Sequence, residues 1–164
     1  MTLVRIALIC MVATVFLIQS AQTETQEEWI KLGERVHGGF GAFIPVGIRI
    51  GLDALQRLRA EPRQVAVVYF DSDRAPCACV ADGVAIATIA SVGQRTLQIA
   101  PEKAPPGVMA EIIVRHKQSG AAVKYTISDT WVPKLIDMNK NLDARGRYDA
   151  VMNANGLFEV SVER

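Results

Sequence analysis

Past an apolar opening stretch, the chain breaks into short segments whose hydrophobic positions recur either every three to four residues or in alternation. Trp29, Leu32 and Val36 follow the first spacing. Glu27 and Glu28 stand early in the segment, where a helix dipole favours acids, so residues 25–36 are predicted to form a helix. It stops at His37-Gly38-Gly39, and with Gly41 close behind, a glycine-rich loop carrying one histidine follows. Ile48, Leu52, Leu55 and Leu58 give a second helix its apolar face, with Pro45 in the first turn and Glu61-Pro62 as the stop. Gly47 and Gly51, four apart, leave a smooth spot on that helix against which a strand or another helix must pack closely.

Residues 64–70 are valine-rich with an aromatic end and are closed by Asp71-Ser72-Asp73, as for a buried strand. Residues 79–91 are small and apolar. A buried strand would suit them, but Gly83 and the alanines favour a closely packed helix. Strands are predicted at 96–99, 108–116 and 121–128, the last two joined by a turn at Gln118-Ser119-Gly120 into a hairpin. A short helix at 129–138, with Trp131 and Pro133, and a final strand at 157–162 complete the chain. Helices first and strands later predict an α+β fold, and 164 residues fit one compact domain.

The opening stretch changes the expected location. Residues 6–18 carry no charge and follow Arg5, a run too short for the ~20 residues of a comfortable membrane span, and the polar residues 19–28 come next. That is the layout of a signal peptide over 1–21, with Ser20 and Ala21 before the cut, and it predicts a protein exported to the periplasm or secreted. Membrane attachment follows only if the leader stays uncleaved as an anchor. The formal net charge is +1, and without Arg5 acids and bases balance; their interspersion leaves no basic stripe for nucleic acid. Beyond the leader only Cys77 and Cys79 remain, so the pattern is not the multi-cysteine framework of a small secreted scaffold.

Two segments carry chemistry. In the first, His37-Gly38-Gly39-Phe40-Gly41-Ala42-Phe43 leads into Gly47-Ile48-Arg49-Ile50-Gly51. It resembles the signature of the FmdE family of formylmethanofuran dehydrogenase subunits, a His-Gly-His-x-Cys-Pro-Gly loop before a Gly-x-Arg-x-Gly helix. His37, Gly38, Gly47, Arg49 and Gly51 fall on matching positions, while Gly39 and Gly41 replace the second histidine and the cysteine. In the second segment, Cys79, Asp82 and Gly93 are similar to the family's Cys-x-x-Asp helix and the turn after it, with Ile89-Ala90-Ser91 in place of Gly-Cys-Thr. The resemblance covers most of residues 25–162. It implies an α+β core with a mixed sheet packed with helices, a cavity lined by the two loops, and a metal associated with histidine and cysteine side chains.

Metal candidates in this chain are His37, Cys77 and Cys79, a set suited to a transition metal such as zinc. Cys77 and Cys79 also admit oxidation to a disulfide, whose Cα atoms, two residues apart, would sit near the edge of usual disulfide geometry, or simple packing under the loop. His37 can equally cap the preceding helix, and Asp82 can orient His37 or cap its own helix. Gly38 and Arg49 complete the candidate ligand-binding set; an arginine on an apolar helix holds an anion or pairs within its own domain. The leading expectation is an exported, non-catalytic protein binding a metal ion or small ligand, with a homodimer open to it. Its rivals are a redox or metal-dependent accessory enzyme using the two thiols, and a structural subunit of an exported complex. The last would expose an apolar patch at Phe40, Ala42, Phe43 and Ile44. A Ser-His-Asp arrangement, a phosphate-cradling loop with lysine and a His-Glu-x-x-His helix are all missing from the sequence.

Overall fold

A computed structural model describes residues 24–163, so the leader expected at 1–21 lies outside the described residues. Helix α1 (Gln26–His37) begins at a capping box: Thr25 accepts from the Glu28 backbone N–H while the Glu28 carboxylate accepts from the Thr25 backbone. Helix α2 (Phe43–Leu58) starts two residues before Pro45, which lies in the first turn, where its missing N–H costs nothing. Strand β1 (Val65–Phe70), helix α3 (Cys79–Thr88) and strand β2 (Leu97–Ile99) follow. The 79–91 segment is therefore helical through Thr88, shorter than expected, and is closed at Ile89, which takes a left-handed conformation (φ 54°).

Strands β3 (Val108–His116) and β4 (Ala122–Ser128) form the hairpin. Helices α4 (Trp131–Asn141) and α5 (Ala144–Met152) precede strand β5 (Glu159–Glu163). The sheet runs β2-β1-β3-β4-β5, with β1 and β2 parallel and the other pairs antiparallel. The fold is a single α+β domain with a mixed sheet.

Alternation along the strands sorts the side chains by face. Val67, Tyr69, Ile112, Val114, Val123 and Tyr125 are buried on one face, whereas their neighbours Val68, Ile113 and Lys124 are only partly covered. Helix α2 packs on that buried face and is itself surrounded by α3 and α5, which explains why Ile44, Val46, Ile48 and Ile50 are all fully buried. The smooth spot on α2 faces α3. A Cβ on Gly47 would lie 2.0 Å from the Val80 carbonyl oxygen, and one on Gly83 2.1 Å from that of Ile44. Only glycine permits this backbone-to-backbone approach, and it fixes where α3 begins relative to α2.

Candidate functional site

The end of α1 and the start of α3 meet at one place. His37 is the last residue of α1. Gly38, at φ 87°, closes the helix by donating its backbone N–H to the Glu34 carbonyl at 3.0 Å, so the capping is done by Gly38 and the imidazole is left for other contacts. Asp82 stands three residues into α3 from Cys79, a spacing that brings both to one side of the helix. Its Oδ2 lies 2.8 Å from His37 Nδ1, with both side chains about one-third exposed, 30% and 38%. A carboxylate held against one ring nitrogen fixes the ring's orientation and leaves the other nitrogen for a second partner.

The cysteine pair stands beside this imidazole. A ring nitrogen of His37 and the sulfurs of Cys77 and Cys79 all lie within 4.8 Å of one another, a group that can hold a metal ion. Cys79 opens α3 and is 6% exposed, while Cys77, in the turn before it, is half-buried. The two sulfurs are joined as a disulfide with the Cα atoms 5.3 Å apart. This is well inside the usual range and corrects the expectation drawn from their spacing: Ala78 (φ −76°, ψ 30°) is bent, so the chain between them is shorter than an extended one.

Two residues that periodicity does not single out hold the intervening loop. Asn139 of α4 accepts from the Ala42 backbone N–H at 2.7 Å. Arg147 of α5 donates to the Phe40 carbonyl at 3.1 Å and to the Asn139 carbonyl at 2.9 Å, while its buried Nε finds no partner among the described residues. The loop after His37 is thus tied down from the C-terminal helices. Phe40, Ala42, Phe43 and Ile44 are buried, at most 4% exposed, so the apolar patch expected of a structural subunit is absent at these four residues.

Arg49 stands apart from the His37 group. It donates to the carbonyls of Val151 (2.8 Å) and Ala154 (2.7 Å) and lies over the Phe158 ring, fastening the end of α5 and the approach to β5. It borders a cleft with Leu52, Asp53, Gln56 and Arg57. In that cleft Asp53 accepts from the Tyr125 hydroxyl at 2.6 Å and from Arg57. Burial, then the bond to Asp53, pushes the Tyr125 phenol far above its ordinary value. Two further clefts, about 470 and 530 Å³, lie along α1, α2 and α3, bordered by Trp29 and Leu55 and by Leu32 and Ile86. Five clefts among the described residues, these three included, are lined by residues other than His37, Cys77, Cys79 and Asp82.

Comparison with known proteins gives one family. The model described as "FmdE, Molybdenum formylmethanofuran dehydrogenase operon" matches residues 36–155, a span that runs from the end of α1 through α5 and includes every residue of the His37 group. No curated protein matches the chain.

Proposed function

We propose that this chain, which belongs to the FmdE family, is an exported protein that holds a soft transition metal, zinc being the natural candidate, between His37, Cys77 and Cys79. The observation that carries the reading is the convergence of one nitrogen and two sulfurs within 4.8 Å, with the imidazole held in place by Asp82. Two thiolates and an imidazole are a fitting donor set for such an ion and leave one position of a tetrahedron for water or a ligand. Asp82 is the orienting group. The partial exposure of His37 and Asp82, 30% and 38%, suits an ion held near the surface.

Only the reduced protein has these donors. A sulfur in a disulfide bears no thiolate charge, so the Cys77–Cys79 bond has to open before the set is complete. The test is cobalt(II) titration, followed by its visible absorption, and zinc stoichiometry after treatment with a phosphine reductant. One equivalent per chain is expected, with binding weakened at least about tenfold by His37→Ala or Cys79→Ser and roughly tenfold by Asp82→Asn. A reduced parent that binds neither ion removes the reading. Export is tested separately by N-terminal sequencing of the mature protein, which should begin near Gln22.

A further inference from the structure

The two sulfurs differ in ways that metal binding does not require. Cys77 is partly open to solvent on the turn before α3, whereas Cys79 is 6% exposed and is the first residue of a ten-residue helix. An incoming nucleophile can therefore reach one sulfur and is largely blocked from the other. Attack at the open sulfur leaves the electron pair of the broken bond on the buried one.

We propose that Cys77–Cys79 is an exchange-active disulfide with a fixed polarity, opened by a thiol that attacks Cys77 and expels Cys79. In the first step the thiolate of a small or peptidyl thiol forms a bond to Cys77 Sγ, the Cys77–Cys79 bond breaks, and its electron pair leaves on Cys79 Sγ. In the second, another thiolate attacks the sulfur of the first thiol in the mixed disulfide, Cys77 leaves as a thiolate, and the thiol partner departs as its disulfide. Two thiols are oxidised and the protein gains two electrons and, at the sulfurs, as many protons as they retain at the working pH. This activity belongs to the oxidised protein and does not depend on metal binding, although its product is the form that carries free thiolates.

Which sulfur is attacked is measurable without altering the protein. The oxidised full chain would be mixed briefly with limiting glutathione, quenched with N-ethylmaleimide in acid, and mapped by mass spectrometry. Glutathione on Cys77 and maleimide on Cys79 are expected in at least a tenfold excess over the reverse. The single variants give a second reading: the Cys77 thiol left by Cys79→Ser should react with an aromatic disulfide at least tenfold faster than the Cys79 thiol left by Cys77→Ser. Equal labelling, an excess on Cys79, or a disulfide that glutathione leaves intact over hours would each overturn the proposal. Because no metal is present in either experiment, a failure here is distinct from a failure of the metal site.

Discussion

Replacing Gly47 with alanine tests how the fold places the site. The added Cβ would fall 2.0 Å from the Val80 carbonyl oxygen, 2.7 Å from the Val84 nitrogen and 2.8 Å from the Gly83 Cα, all of them backbone atoms of α3. Ordinary contact begins near 3.4 Å, so α2 and α3 must separate by about 1.4 Å at this point, with no flexible side chain to give way. Overpacking of this kind costs about 3 kcal/mol, and the better helix propensity of alanine returns about 1. The net loss should be about 2 kcal/mol, seen as a lower urea midpoint at unchanged slope. Gly39→Ala is the control. Nothing lies within 4 Å of its Cβ position, so its effect should stay within about 0.5 kcal/mol. Because α3 carries Cys79 and Asp82, the same displacement should also weaken cobalt binding by the reduced protein. Gly47→Ala with parental stability would refute the argument, since it would mean the two helices do not touch where their glycines meet.

Other outcomes follow from the same reasoning. Arg147→Met removes donors to two carbonyls and should cost about 1–3 kcal/mol, less than a fully satisfied arginine would, because its buried Nε has no partner among the described residues; urea unfolding measures it. Tyr125→Phe removes the bond to Asp53 and should cost about 1 kcal/mol, whereas Tyr69→Phe deletes a buried hydroxyl that has no well-formed hydrogen bond among the described residues, only the nearby Asp71 carboxylate, and should cost less. Burial raises the phenols of both tyrosines, helped by Asp53 at Tyr125 and by the charge of Asp71 at Tyr69. Their contribution to stability is intact below the unfolded-state value and is lost as the pH rises past about 10, where the unfolded chain releases protons that the folded one retains. The urea midpoint should therefore fall between about pH 10 and 11, by less in the Tyr69→Phe, Tyr125→Phe double variant.

How far the sequence can be read depends on what each element rests on. The periodicities of α1 and α2, the valines of β1 and the hairpin of β3 and β4 are local signals, and these elements appear within a few residues of their predicted bounds. Helix α3 is harder, because a run of small apolar residues has no clear period; its glycine is the decisive hint. Helix α5 gives no comparable signal. It has one buried residue, Val151, and a glycine inside it, and it is held by the Asp143 cap and by contacts with α1 and α2 that local pattern cannot show. His37, Cys77 and Cys79 are legible by residue type, and the pairing of His37 with Asp82 is one of two roles open to that carboxylate. Arg147 and Asn139 are not, since nothing in Ala-Arg-Gly-Arg-Tyr separates an arginine that grips a distant loop from one in water. Arg49 likewise draws notice for its setting, yet its partners are two carbonyls about a hundred residues away.

The ties from Asn139 and Arg147 also set an order of events. They join residues 97 and 107 positions apart, and they act on the loop that directly follows His37. During synthesis the histidine, both cysteines and Asp82 all emerge well before the helices that hold that loop. Until α4 and α5 dock, the Ala42 N–H and the Phe40 carbonyl lack these side-chain partners. A nascent chain would thus carry its thiols for some time beside a loop not yet fastened, and only the last fifth of the sequence supplies the ties that hold that loop behind the histidine.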